Sequence, residues 1–96
     1  MDFLITALDY TDENALERRM QARTEHLAKA TELYKSGNLI AAGAILSDEG
    51  KMIGSTLYLR FDSEEELKEC LDNDPYTKGK VWEKVETQKI KLVPFE

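Results

Sequence analysis

Polar and apolar positions along this chain follow the periods of strands and helices. Residues 1–10 form a short apolar run that ends in a polar cluster, which predicts a buried strand and a turn. Over residues 14–36 apolar side chains recur at helical spacing, between an expected N-cap at Asp12 and an expected C-cap at Gly37. The residues of this predicted apolar stripe are Leu16, Met20, Leu27, Ala30 and Tyr34. We therefore expect a strand followed by one long helix whose stripe faces the core.

Two further apolar runs predict a β-hairpin. They cover residues 39–46 and 52–61 and flank a glycine-containing turn at residues 47–51. In the second run, strict alternation predicts that one set of residues lies beneath the helices. The residues of that set are Ser55, Leu57, Leu59 and Phe61.

Capping signals define the remaining elements. Ser63 and Glu66 have the spacing of a capping box and predict a short second helix. Asp74 and Pro75 predict a further helical turn, because aspartate is a good N-cap and proline a good first helical residue. Residues 87–95 predict the last strand. The order β-α-β-β-α-β predicts one ferredoxin-like domain over residues 1–96, an α+β fold with two helices on one face of an antiparallel sheet.

Both faces of the predicted sheet carry apolar residues. Examples are Leu4, Leu8, Ala42, Ala44 and Tyr58. Helices cover only one face of such a sheet, so the other face needs a different cover. We therefore expect a homodimer whose sheets pack face to face, an assembly similar to a dimeric α/β barrel.

Composition narrows the classes of function. The chain has 96 residues, 42% of them hydrophobic and 33% charged, which is typical of a globular domain. A net charge of −6 argues against nucleic acid or an anionic membrane as a partner. The single cysteine and the absence of a signal peptide predict a cytoplasmic protein. One histidine and one cysteine are too few for a His/Cys zinc site, no glycine-rich phosphate loop is present, and we expect no cofactor.

His26 is the first candidate for acid–base chemistry, because imidazole is the side chain that ordinarily titrates near neutrality. At about 100° per residue, Arg23 falls within the predicted stripe, while Arg19 and His26 flank one of its edges. A buried arginine needs a carboxylate or a ligand as its partner. The alternative is structural: both arginines extend into solvent or pair with glutamates, His26 packs at a half-buried helix edge, and Asp74 acts only as an N-cap. A transition-metal site that combines His26 with carboxylates is a further alternative.

Several motifs of the chain resemble the YciI-related family. These motifs are Arg23-Thr24-Glu25-His26-Leu27, Gly37-Asn38-Leu39, Ala42-Gly43, Gly54-Ser55-Thr56 and Asp74-Pro75-Tyr76. They span nearly the whole chain. The resemblance implies a ferredoxin-like fold that forms dimers, similar to the muconolactone-isomerase-like group, with an active site centred on a histidine and an aspartate.

Position by position, the resemblance assigns the family histidine to His26, the motif arginine to Arg23 and the aspartate to Asp74. Gly54 and Ser55 match a strand motif on the pocket side, where we expect them to contact substrate. Two features depart from the family pattern: a threonine follows the motif arginine, and the turn at residues 47–51 replaces a longer segment rich in glycine and proline. The shorter turn implies a pocket of different depth.

The leading hypothesis is a small enzyme that uses His26 as acid or base, oriented by Asp74, on a compact aromatic, lactone-like or otherwise planar substrate. Arg23 and Arg19 would bind an anionic group of that substrate. A lyase or isomerase reaction fits this chemistry, and one branch of the resembling family dehydrochlorinates a chlorinated hydroxyquinol. The alternative is a non-catalytic dimeric domain whose pocket holds a small ligand.

Overall fold

The fold is built on one antiparallel sheet. The computed structural model describes residues 1–95. Its elements are β1 (Asp2–Asp9), α1 (Ala15–Lys35), β2 (Leu39–Leu46), β3 (Met52–Arg60), α2 (Glu64–Asp72), α3 (Pro75–Lys78) and β4 (Trp82–Ile90). The strands are ordered β2-β3-β1-β4, and all neighbours pair antiparallel. The predicted ferredoxin-like order is confirmed, with the short α3 following α2.

One face of the sheet, here called the helix face, carries the core. On β1 the alternate residues Phe3, Ile5 and Ala7 are at most 1% exposed. The matching buried residues of β3 are Ser55, Leu57 and Leu59. Side chains of α1, α2 and α3 complete this cluster. The parity predicted for β3 is therefore confirmed.

The buried side of α1 differs from the predicted apolar stripe. Leu16, Met20, Leu27 and Tyr34 are between 44% and 66% exposed. The side that meets the sheet lies about a quarter turn away. Its residues are Ala15, Arg19, Ala22, His26, Ala30 and Leu33. The predicted orientation is wrong because the alanines allow a close approach to the sheet, while the arginine and the histidine find buried carboxylate partners.

The ends of several elements follow local hydrogen bonds. β4 spans Trp82–Ile90 instead of the predicted 87–95 because it pairs with the full length of β1. Beyond β4 the chain leaves the strand ladder, and the Leu92 N–H donates to the Asp2 carboxylate at 3.2 Å. The predicted N-cap of α2 is confirmed, since the Glu66 N–H donates to Ser63 Oγ at 3.2 Å.

The caps of α1 lie closer to the helix than predicted. The N-cap is Asn14 and the C-cap is Ser36. Asp12 instead supports the N-cap residue, because its carboxylate accepts from the Asn14 N–H at 3.1 Å. Gly37 follows the C-cap at φ +85°, a conformation that favours glycine. Within residues 1–95, no helix has both the length and the apolar character needed to cross a bilayer.

The opposite face of the sheet, here called the open face, is less buried. On β1 it carries Leu4, Thr6 and Leu8, which pair across the ladder with Tyr58, Thr56 and Gly54 of β3. Leu8 is 43% exposed. This face therefore presents a mixed apolar and polar surface.

Candidate active site

His26 and Asp74 form a buried pair. Imidazole Nδ1 lies 2.8 Å from Asp74 Oδ1, and the two side chains are 9% and 7% exposed. His26 stands on the side of α1 that meets the sheet, while Asp74 is the N-cap of α3, where Oδ1 also accepts from the Tyr76 N–H at 2.8 Å. The fold thus brings together two residues that are 48 positions apart, and the aspartate caps a helix and pairs with the histidine at once.

The pairing with Asp74 determines which imidazole nitrogen carries the proton. An ionised carboxylate only accepts hydrogen bonds, so Nδ1 is the donor. In the neutral ring Nε2 is then unprotonated. Within residues 1–95, Nε2 has no hydrogen-bond partner, and His26 lines a cavity. The arrangement can therefore present a basic nitrogen to a ligand.

Two aromatic rings hold the imidazole in place. The Tyr76 ring stacks on His26 with centroids 3.7 Å apart and planes 8° from parallel. The Trp82 ring meets both of them edge-on, with centroid distances of 5.8 Å and 5.7 Å. Tyr76 and Trp82 are 2% and 5% exposed. From the sequence alone, both rings are most simply interpreted as core or dimer-contact residues. The one indication that Tyr76 belongs to the site is its position two residues after Asp74.

Arg19 and Asp9 form a second buried pair beside the first. Arg19 Nη1 donates to both carboxylate oxygens of Asp9, at 3.0 Å and 2.9 Å. Arg19 Nη2 donates to Ser55 Oγ at 3.1 Å, and Trp82 Nε1 donates to the same oxygen at 3.1 Å. The guanidinium carbon lies 4.8 Å from the centre of the Tyr76 ring. The two polar pairs therefore contact one aromatic ring.

Burial controls the electrostatics of the second pair. Desolvation raises the pKa of the Asp9 carboxyl, while the hydrogen bonds and charge of Arg19 act in the opposite direction. The side chains of Arg19 and Asp9 are 4% and 5% exposed. Arg19 Nε is the one fully enclosed side-chain polar atom within residues 1–95 that has no partner. Burial of this pair therefore costs desolvation free energy, and the pair holds the Arg19 guanidinium at the wall of the cavity described next.

A cavity of about 210 Å³ opens between α1, β2 and β3. Arg19, Arg23, His26, Ser55 and Tyr76 contribute polar groups to its wall. Its other lining residues are small or apolar and include Ala30, Ala42, Gly43, Ala44 and Leu57. An apolar cavity of about 150 Å³ holds benzene. This cavity therefore has room for one six-membered ring with few substituents.

The structure brings together most of the residues predicted from the sequence. Arg23 is exposed and stands at the rim of the cavity, and Asp74 lies behind His26. Gly54 does not line the cavity. A Cβ at this position would clash with the carbonyl oxygen of Ala7 and crowd the side chains of Ile45 and Leu8. The structure thus places Gly54 in close strand packing, and its expected contact with substrate stays a prediction.

A larger cavity lies elsewhere and lacks this chemistry. It measures about 710 Å³ and lies between α2 and β4, lined by Phe3, Leu67, Val85 and the charged ends of Lys68 and Lys89. It contains neither a histidine nor a buried polar pair. Within residues 1–95, no group of three His, Cys, Asp or Glu side chains is placed to share a metal ion. The His26 cavity is therefore the candidate active site.

Relatives of the chain share nearly its whole length. Residues 1–91 match a family model described as the YCII-related domain. Protein YciI of Escherichia coli is 34% identical over 99 aligned positions, which cover 97% of this chain and 99% of that protein. The derivative of benzaldehyde biosynthesis cluster protein C of Emericella nidulans is 36% identical over 70 positions, which cover 66% of this chain and 71% of that protein.

A solved enzyme structure is similar over the same length. It is the 5-chloro-2-hydroxyhydroquinone dehydrochlorinase of Burkholderia phenoliruptrix, in complex with 2,5-dihydroxybenzoquinone. It superimposes with a TM-score of 0.81 at 27% identity, covering 95% of this chain and 94% of that chain. The same fold therefore occurs in an enzyme whose named substrate is a chlorinated, hydroxylated ring.

Proposed function

Because this chain belongs to the YCII-related domain family, as its motifs predicted, we propose that it is a small enzyme that performs acid–base chemistry on a compact ring. Residues 1–96 would act as one such domain. The observation that carries the proposal is the buried pair of His26 and Asp74, 2.8 Å apart, beside a cavity sized for a single ring. The dehydrochlorinase with the same fold supports a hydroxylated aromatic substrate.

In the proposed reaction His26 Nε2 takes a proton from the bound substrate. The imidazole then becomes a cation, and the carboxylate of Asp74 stabilises that charge through Nδ1–H. In an isomerisation the proton returns to a different substrate atom. In an elimination, the electron pair left by the removed proton forms a new double bond in the substrate, a leaving group such as chloride departs with the electron pair of its broken bond, and the proton passes to solvent. Both routes restore the neutral imidazole.

The arginines have different proposed roles. Arg23 is exposed at the rim of the cavity, where it can bind an anionic group of the substrate. Arg19 has both terminal nitrogens engaged with Asp9 and Ser55, so we propose that it acts mainly through its positive charge at the cavity wall. Ser55 would position Arg19 and only secondarily meet substrate.

The assembly and the compartment are also proposals. Leu4, Leu8 and Tyr58 give the open face its apolar part, and we propose that a second copy covers it, sheet against sheet. Cys70 is a free thiol, which fits the reducing cytoplasm proposed from the sequence.

The test is turnover by the wild type and by His26→Gln. Glutamine can hydrogen-bond to Asp74 but cannot exchange a proton, so the fold should survive while catalysis is lost. With 5-chloro-2-hydroxyhydroquinone as the first candidate, we expect chloride release by the wild type and a rate at least about 100-fold lower for His26→Gln. Circular dichroism checks the fold of the variant.

The competing function, a non-catalytic binding domain, gives a different result. It predicts that the wild type binds 2,5-dihydroxybenzoquinone, that no substituted hydroquinone is converted, and that His26→Gln changes only affinity. That result would contradict the enzyme proposal.

A further inference from the structure

The hydroxyl of Tyr76 is a polar group of the site that the proposed reaction does not yet use. Tyr76 is 2% exposed, yet it lines the cavity. Buried tyrosine hydroxyls usually have a hydrogen-bond partner. None of the hydrogen bonds formed within residues 1–95 involves this hydroxyl, and the only fully enclosed side-chain polar atom left unpaired there is Arg19 Nε. The Tyr76 hydroxyl is therefore not fully enclosed, and the cavity beside Tyr76 is the space where a ligand could reach it.

The geometry also directs the hydroxyl and the base toward the same region. Asp74 Oδ1 accepts from the Tyr76 backbone N–H and from His26 Nδ1, each at 2.8 Å. Nδ1 therefore lies at the backbone end of the tyrosine. The two rings are parallel at 3.7 Å and both residues line the same cavity, so the base and the hydroxyl belong to one site.

The charges around Tyr76 favour a neutral donor facing an anionic acceptor. Burial raises the pKa of the Tyr76 hydroxyl, although the positive charges of Arg19 and Arg23 oppose this rise, so the hydroxyl keeps its proton at neutral pH. Asp9 and Asp74 act in the same direction as burial. The two arginines meanwhile attract negative charge to this part of the cavity.

We propose that Tyr76 is a second catalytic residue, which donates a hydrogen bond from its hydroxyl to an anionic oxygen of the substrate. The site would accordingly select rings that bear an ionised phenol or enol. Tyr76 keeps its proton throughout, and the hydrogen bond stabilises charge on that oxygen while His26 moves a proton at another atom. This inference rests on the proposed function, because it uses the same cavity and the same base.

The experiment compares Tyr76→Phe with the matched variant Tyr34→Phe, which removes a hydroxyl from a residue that is 66% exposed on α1. Two readouts are binding of 2,5-dihydroxybenzoquinone and kcat/KM for 5-chloro-2-hydroxyhydroquinone. We expect Tyr76→Phe to weaken both by about tenfold to one hundredfold, since a donor to a charged oxygen is lost. Tyr34→Phe should match the wild type. A dimethoxy analogue of the quinone has only neutral oxygens, which accept weaker hydrogen bonds, so its affinity should fall much less in Tyr76→Phe than that of the dihydroxy quinone.

Several results would overturn the inference. If the wild type is active and His26→Gln is inactive, but Tyr76→Phe stays within twofold of the wild type, Tyr76 has no such role and the proposed function stands. If no variant shows turnover, the proposed function fails, and unchanged quinone binding by Tyr76→Phe then overturns the inference separately. A large fall in the thermal unfolding midpoint of Tyr76→Phe would show a structural partner for the hydroxyl and would also overturn it. Absence of any binding by the wild type would overturn both.

Discussion

At the scale of single residues, the site consists of two buried polar pairs that share one aromatic ring. His26 with Asp74 and Arg19 with Asp9 both contact Tyr76. Each pair satisfies a group that would be costly to bury alone. In the first pair, His26 keeps Nε2 free for a ligand in the cavity that it lines. In the second pair, Arg19 places a positive charge at the wall of the same cavity.

Asp74→Asn separates the hydrogen-bonding role of Asp74 from the role of its negative charge. Asparagine is also a good N-cap, so its carbonyl oxygen can still accept from the Tyr76 N–H. The same oxygen also accepts from His26 Nδ1, so asparagine can keep both hydrogen bonds while it removes the negative charge that would stabilise a protonated imidazole. We expect kcat to fall by about 10²–10⁴-fold with little change in the free energy of unfolding. Near wild-type turnover by this variant would show that the pair is only structural.

Arg19→Met tests the second pair. It leaves the buried Asp9 carboxylate without a partner, so we expect a loss of about 3–5 kcal/mol in the free energy of unfolding at neutral pH. Burial raises the pKa of Asp9 above its unfolded value, so the penalty is absent at pH below the unfolded value and grows as pH rises through the folded pKa.

Urea unfolding at pH 7 and at acidic pH measures this difference. The double variant Asp9→Asn with Arg19→Met is the control and should recover part of the loss at pH 7, since no charge then remains buried. An equal loss for Arg19→Met at both pH values would show that only packing has changed.

At the scale of elements, α1 carries most of the site and shows the limit of prediction from the sequence. The order of strands and helices follows from periodicity and caps and was predictable. The face of α1 was not, because counting apolar residues favours Leu16 and Met20, whereas the contacts that decide the orientation are the polar pairs of Arg19 and His26. Those partners come from β1 and from the start of α3, and no local pattern shows that they will meet.

The site itself was predictable only in part. His26 and Asp74 were predicted from the two motifs that contain them, Arg23-Thr24-Glu25-His26 and Asp74-Pro75-Tyr76, which resemble those of the family. The roles of Trp82 and Tyr76 become visible only when the rings are placed against the imidazole. The first half of β4 was missed because its exposed polar residues show no strand alternation, while pairing with β1 defines the strand.

Two glycines on neighbouring strands make a matched test of strand packing. Gly54→Ala would push a Cβ against the carbonyl oxygen of Ala7, so we expect a loss of about 1–3 kcal/mol in the free energy of unfolding. Gly43→Ala is the control, because its nearest neighbour is a methyl carbon of Thr56 at 4.0 Å. Chemical denaturation of both variants measures the difference. Equal stabilities would contradict the close approach of β1 to β3.

At the scale of the whole molecule, the open face is the surface that we propose a second copy covers. We expect sedimentation at micromolar concentration to give about twice the chain mass of 11.0 kDa. Leu8→Glu, at a residue of the open face that is 43% exposed, should shift the protein toward monomer. Met20→Glu, at a residue of α1 that is 49% exposed, should leave the mass unchanged. A monomeric wild type, or equal effects of both variants, would contradict a dimer formed through the sheet.

The most direct test of the site is the nitrogen-15 NMR spectrum of the imidazole ring. His26 is the only histidine, so its two ring nitrogens are assigned without ambiguity. At about pH 9, where an imidazole is ordinarily neutral, we expect the proton on Nδ1 and a bare Nε2 in the wild type, and loss of this preference in Asp74→Ala, where no carboxylate accepts from Nδ1. A wild-type ring protonated at Nε2, or one that averages between the two forms, would contradict a base held toward the cavity by Asp74.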